Sequence, residues 1–133
     1  MKKSQYRLSK REEELMEMLW HAGRPMTTNE MIQEPWERTW KDSYLKIMIR
    51  DLLARGLIHV SGIKPHVTIY ARQFVATMTQ EEYAAKLVCA RVAPQKMPKV
   101  IKALCMEITQ DEALLANLEG LLSHMLVSST VDD

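Results

Sequence analysis

Four times along the chain a Ser or Thr stands three residues before a Glu, and each time an apolar helical period follows. In such a capping box the hydroxyl accepts from the third helical amide while the carboxylate returns to the cap amide, so each pair marks where a helix begins. Ser9-Lys10-Arg11-Glu12 opens a run with Leu15, Met16, Leu19 and Trp20 on one face, closed by Gly23-Arg24-Pro25. Thr27-Thr28-Asn29-Glu30 opens a short helix with Met31 and Ile32 inward. It ends at Glu34, because Pro35 disfavours helical backbone in the residue before it. Thr79-Gln80-Glu81-Glu82 starts a later helix with Tyr83, Leu87 and Val88 inward. Pro94 and Pro98 separate it from a segment around Val100 to Met106, and Thr109-Gln110-Asp111-Glu112 opens the last helix.

Between the second and third boxes lies the cleanest period. Asp42 is placed to cap a helix in which Leu45, Met48, Ile49, Leu52 and Leu53 form one apolar stripe, and Gly56 stands where a left-handed terminator is wanted. Its opposite face carries Ser43, Tyr44, Lys46, Ile47, Arg50 and Asp51. Leu57-Ile58-His59-Val60, a turn near Gly62 to His66, and Val67-Thr68-Ile69-Tyr70 then read as two strands. Three short helices and a hairpin predict a mainly α fold with a small β-hairpin: a winged helix-turn-helix domain over residues 1–75. A helical dimerisation region is expected over 76–133. The final helix, with Leu114, Leu115, Leu118, Leu121, Leu122 and Met125, is too apolar to stand alone in water. A second copy of the chain is the expected partner, meeting Tyr83, Leu87 and those five leucines.

Composition excludes more than it selects. The net charge of +1 divides into 13 Lys+Arg against 9 Asp+Glu over residues 1–75 and 5 against 8 afterwards, which assigns any polyanion contact to the front. No apolar run approaches the ~20 residues of a membrane span. The basic start from Met1 to Arg7 is followed by no apolar stretch, so the expected compartment is the cytoplasm. Cys89 and Cys105 fit no zinc spacing and read as small buried hydrophobes. His21, His59, His66 and His124 are scattered, and the four glycines form no phosphate loop. No metal, cofactor or catalytic constellation is expected, and the chain does not read as an enzyme. The ten methionines fall mostly on inward positions and suit core packing.

A major groove about 12 Å wide admits one α-helix, and the polar face of the third helix suits it. Lys46 and Arg50 stand one turn apart, and an arginine there can hold a guanine edge bidentately. Ser43 and Tyr44 suit phosphate or base-edge hydrogen bonds, Ile47 a thymine methyl, and Lys41 with Lys64 at the wing tip phosphate contacts. Taken singly, Lys46 and Arg50 read first as a solvated helix face, and the surrounding order of helices turns the set toward DNA. Tyr44 has two open readings, DNA contact or packing on Trp36 or Trp40, and Trp36 itself can be core or surface.

The order and spacing of several segments resemble the penicillinase repressor family over approximately residues 6–86, and the remainder by shape. They are Leu8-Ser9 through Met18-Leu19-Trp20, Thr28 to Ile32, Trp40, Leu52-Leu53-Ala54-Arg55-Gly56-Leu57-Ile58, Ile69-Tyr70, and Thr79 to Tyr83. The resemblance implies a homodimeric repressor on a palindromic double-stranded DNA operator, released through an upstream sensor protein or, in the copper-responsive branch, by metal. Departures are explicit. The family's Ser-x-Lys-Thr start of the reading helix, with a Thr one turn later, corresponds here to Lys41, Ser43, Tyr44 and Ile47, and an expected Arg is Asp51. The Asn-Phe bond cut in some members corresponds to Ala103-Leu104, and the copper branch's Cys-x-Cys pairs are missing. The altered face motivates a second reading, a winged-helix protein–protein interaction module with weak or lost DNA readout.

Overall fold

Three of the four boxes form as their spacing requires. In the computed structural model, which describes residues 6–131 and side chains from Tyr6 to Met125, Ser9 and Glu12 exchange backbone–side-chain hydrogen bonds at the start of α1 (Lys10–Ala22). Thr27 and Glu30 do the same for α2 (Thr28–Gln33), and Thr79 and Glu82 for α4 (Gln80–Arg91). Gly23 closes α1 in the left-handed region at φ 64°, and Glu34, ahead of Pro35, is already extended at ψ 130°. The fourth box does not form. Asp111 caps α6 (Glu112–Val131) instead, its Oδ1 accepting from the amides of Ala113 and Leu114, while the Thr109 hydroxyl accepts from the Asp111 amide. An aspartate one residue ahead of the helix reaches two free amides at once, which a threonine two residues further back cannot.

The helix α3 (Asp42–Ala54) buries Leu45, Met48, Ile49 and Leu52, and its chain exits through Gly56 at φ 74°. Asp42 does not cap it: Lys41 occupies the cap without a side-chain bond, and Asp42 pairs with Arg38 at 2.8 Å. The preceding loop is held from below. Glu14 of α1 accepts from the Thr39 amide and hydroxyl at 2.8 and 2.9 Å, and the Arg38 guanidinium lies 4.1 Å from the centre of the buried Trp40 ring. These contacts set where α3 starts relative to α1.

The hairpin is longer than expected. β1 (Ile58–His66) pairs antiparallel with β2 (Ile69–Ala76), with a bulge between Val60 and Gly62, and the turn falls at Val67-Thr68. Met26 adds a bridge to Phe74 on the other side of β2, with bonds of 3.0 and 2.8 Å. β1 is therefore an edge, where Pro65 without its amide hydrogen is tolerated. Phe74, Met16, Met18, Met26, Met31, Met48, Leu15, Leu52 and Leu57 are among the buried residues that join the three helices and the sheet into one core. Each such side chain contributes about 1.5–3 kcal/mol by leaving water. The arrangement is a winged helix-turn-helix, mainly helical with a small hairpin.

The chain divides into two units between Leu87 and Val88. Tyr83, expected on a dimer face, is committed to the first: its ring lies 5.4 Å from Trp20 and its hydroxyl donates to the Tyr6 carbonyl at 2.5 Å. In the second unit α5 (Met97–Ile108), preceded by a short 3-10 turn (Pro94–Lys96), packs on α6. Leu115 is buried there, and Lys102 pairs with Glu119 at 3.3 Å.

Candidate nucleic-acid interface

With its leucines inward, α3 turns Ser43, Tyr44, Lys46, Ile47, Arg50 and Asp51 to solvent. Lys46 and Arg50 line one groove of about 640 Å³ together with Thr28 and, from β2, Ile69, Ala71 and Arg72. Its apolar floor is Ile49, Leu53 and Phe74. Helix and wing thus share one concave surface with three cations on its rim. No ion pair engages Lys46, Arg50 or Arg72 among the described residues, and the Arg72 guanidinium sits 5.3 Å from the Phe74 ring centre. The aromatic face steadies that cation without neutralising it.

A second cleft, about 290 Å³, gathers Lys41, Ser43 and Tyr44 with Arg11 and Thr39. Among the described residues no ring contact joins Tyr44 to Trp36 or Trp40. The Tyr44 ring lies 5.1 Å below the Arg11 guanidinium, which brings a residue of α1 to the start of α3. Ile47 is 46% exposed between the two cationic groups. Asp51, whose negative charge faces the same way in sequence, pairs with Arg55 at 2.8 Å toward the end of the helix.

Lys64 requires correction. With the turn at Val67-Thr68 it is not at the wing tip; it stands within β1 opposite Ala71, and its Nζ bonds Glu30 at 3.2 Å. The Glu30 carboxyl is held below its ordinary pKa by the Thr27 amide and, beyond the cost of burial, by that lysine. The tip itself presents His66, Val67, Ile69 and Tyr70, with Val67 91% exposed at φ 54°. Sequence reasoning missed Arg11 and Arg72. Alternation along β2 places Arg72 two residues from Phe74 on one face, a signal visible only once the strand is extended past Tyr70.

The expected dimer residues are divided between the two units. Tyr83 and Leu87 belong to the first unit, Leu115 is spent between α5 and α6, and Leu118 and Leu122 are half-buried. Leu114 and Leu121 are exposed, as are Leu104, Met106, Ile108 and Met125. Among the described residues no group of His, Cys, Asp and Glu is arranged to hold a metal ion, and no helix is long and apolar enough to cross a membrane.

Compared with known proteins, the chain matches the family model of the penicillinase repressors over residues 8–124. No curated protein and no solved structure matches it.

Proposed function

The chain belongs to the penicillinase repressor family, a family of transcriptional repressors, and on that premise we propose that it acts as a homodimer whose α3 reads a palindromic operator. The observation that carries the DNA reading is the groove shared by α3 and β2, where Lys46, Arg50 and Arg72 stand unneutralised over an apolar floor. Lys46 and Arg50 serve base edges, Ile47 a thymine methyl, and Ser43, Tyr44, Lys41 and Arg11 the adjoining phosphates. Arg72 replaces Lys64 as the wing's phosphate contact.

The second unit supplies the twofold. A helical pair in which, among the described residues, Leu115 alone is well buried, and with Leu104, Leu114, Leu121 and Met125 exposed, gains most by covering that surface with its twin. Two α3 helices then meet half-sites spaced by about one 10-base-pair turn or a multiple of it. Release by an upstream sensor in the cytoplasm follows the family, by a route other than an Asn-Phe cut, since Ala103-Leu104 of α5 takes that place.

Selecting bound fragments from genomic DNA and titrating them by gel shift tests the reading. Binding should be steeply salt-dependent. The double variant Lys46→Ala with Arg50→Ala should lose about 2–6 kcal/mol on the selected site, at roughly 1–3 kcal/mol per base contact, with the oligomeric state unchanged. No binding even at low salt, or undiminished affinity in the double variant, favours instead a protein-binding module using the exposed Ile47 and Tyr44.

A further inference from the structure

The first unit holds another cleft, of about 440 Å³, which shares no residue with the groove or with the smaller cleft beside α3. Glu17, Trp20 and His21 of α1 form one wall, Trp36 of the loop after α2 a second, and Thr79, Gln80 and Glu81 at the start of α4 the third. Both indoles are positioned by the fold. The Trp20 Nε1 donates to the Met78 carbonyl at 2.9 Å, and its ring meets Tyr83; the Trp36 ring lies 5.1 Å from that of His21.

Two carboxylates and one imidazole, that of His21, are the titratable groups lining this cleft. Glu17 and Glu81 are its carboxylates, neither of them in an ion pair or hydrogen bond among the described residues, and no Lys or Arg lines it. At the amino end of α4 the capping exchange engages the Thr79 and Glu82 amides, and the partial positive charge left at the Gln80 and Glu81 amides is opposed by the Glu81 carboxylate beside them. Indole faces carry negative quadrupole density, so Trp20, Trp36 and the two carboxylates favour positive charge. The volume suits a ligand of moderate size.

We propose that this cleft binds a small organic cation with an apolar body, an aryl-substituted or quaternary ammonium, between Trp20 and Trp36 and beside Glu17 and Glu81. The site does not depend on DNA reading. Calorimetric titration of the full chain with benzyltrimethylammonium tests it, with benzyl alcohol as the neutral probe and benzoate as the anionic one. Saturable one-to-one binding of the cation is expected, with quenching of indole fluorescence and far weaker binding of the other two. Trp36→Ala should weaken it by about 2- to 30-fold. Glu17→Gln with Glu81→Gln, a pair that leaves the cap and the core untouched, should weaken it by about 2- to 10-fold. Absent saturation, equal affinity for benzyl alcohol, or undiminished affinity in the double glutamine variant overturns the proposal.

Discussion

Arg72 shows what a single residue contributes that its neighbours cannot. Among the described residues it is the wing cation that lines the shared groove, and its guanidinium lies 5.3 Å from the Phe74 ring centre. A contact to phosphate carries no base information, so Arg72→Ala should weaken binding to all sequences alike and reduce the slope of log affinity against log salt by about one. A gel-shift series across salt measures it; a change in preferred operator bases would assign Arg72 to readout instead. Lys64→Ala should leave that slope nearly unchanged, because its ammonium is already shared with Glu30. The difference between these two residues was not legible in the chain, since it turns on where the hairpin bends.

Arg55 joins two elements. From the carboxyl-terminal cap of α3 it donates to the Arg7 carbonyl at 2.7 Å and pairs with Glu12 at the start of α1, while Asp51 pairs with it from one turn back. Burial opposes ionisation of Glu12, yet the Ser9 amide and the Arg55 guanidinium outweigh it, and the carboxyl is held below its ordinary value. A carboxylate with a depressed folded pKa stabilises the fold above its unfolded pKa, near 4.5. That stability is lost as pH falls through the lower folded value. Glu12→Gln preserves the capping box and removes the charge. It should cost about 1.5–3 kcal/mol at neutral pH and flatten the loss of stability below pH ~4.5, as read by urea unfolding across pH. An unchanged midpoint at pH 7 would show the Arg55 link to be inconsequential.

For the whole molecule the question is what completes the second unit. A charge placed in an apolar interface is left unpaired there, whereas on a solvent face it is tolerated. Leu114→Asp with Leu121→Asp should therefore convert a dimer to a monomer in sedimentation analysis while leaving the first unit's thermal unfolding unaltered. Operator affinity should fall by far more than either half-site contact explains, because the two recognition helices no longer bind as one ligand. A dimer that persists in this variant would move the twofold to another surface.

Local chemistry was enough to determine the starts of α1, α2 and α4, the apolar stripe of α3, the breaks at Gly23, Pro35 and Gly56, and the existence of a hairpin, because each depends on residues within one or two turns. The same short range made Lys46 and Arg50 legible as neighbours on one helix face. Tertiary structure alone decided the rest. Pairing with Ile58 to Val60 carries β2 to Ala76, Met26 bridges it at Phe74, the turn falls beyond Lys64, and Arg72 thereby lines the same groove as Arg50. Tertiary packing likewise drew Tyr83 onto Trp20 and Arg11 over Tyr44, since groups so far apart in sequence meet where buried area and hydrogen bonding are both satisfied, and no local period encodes that.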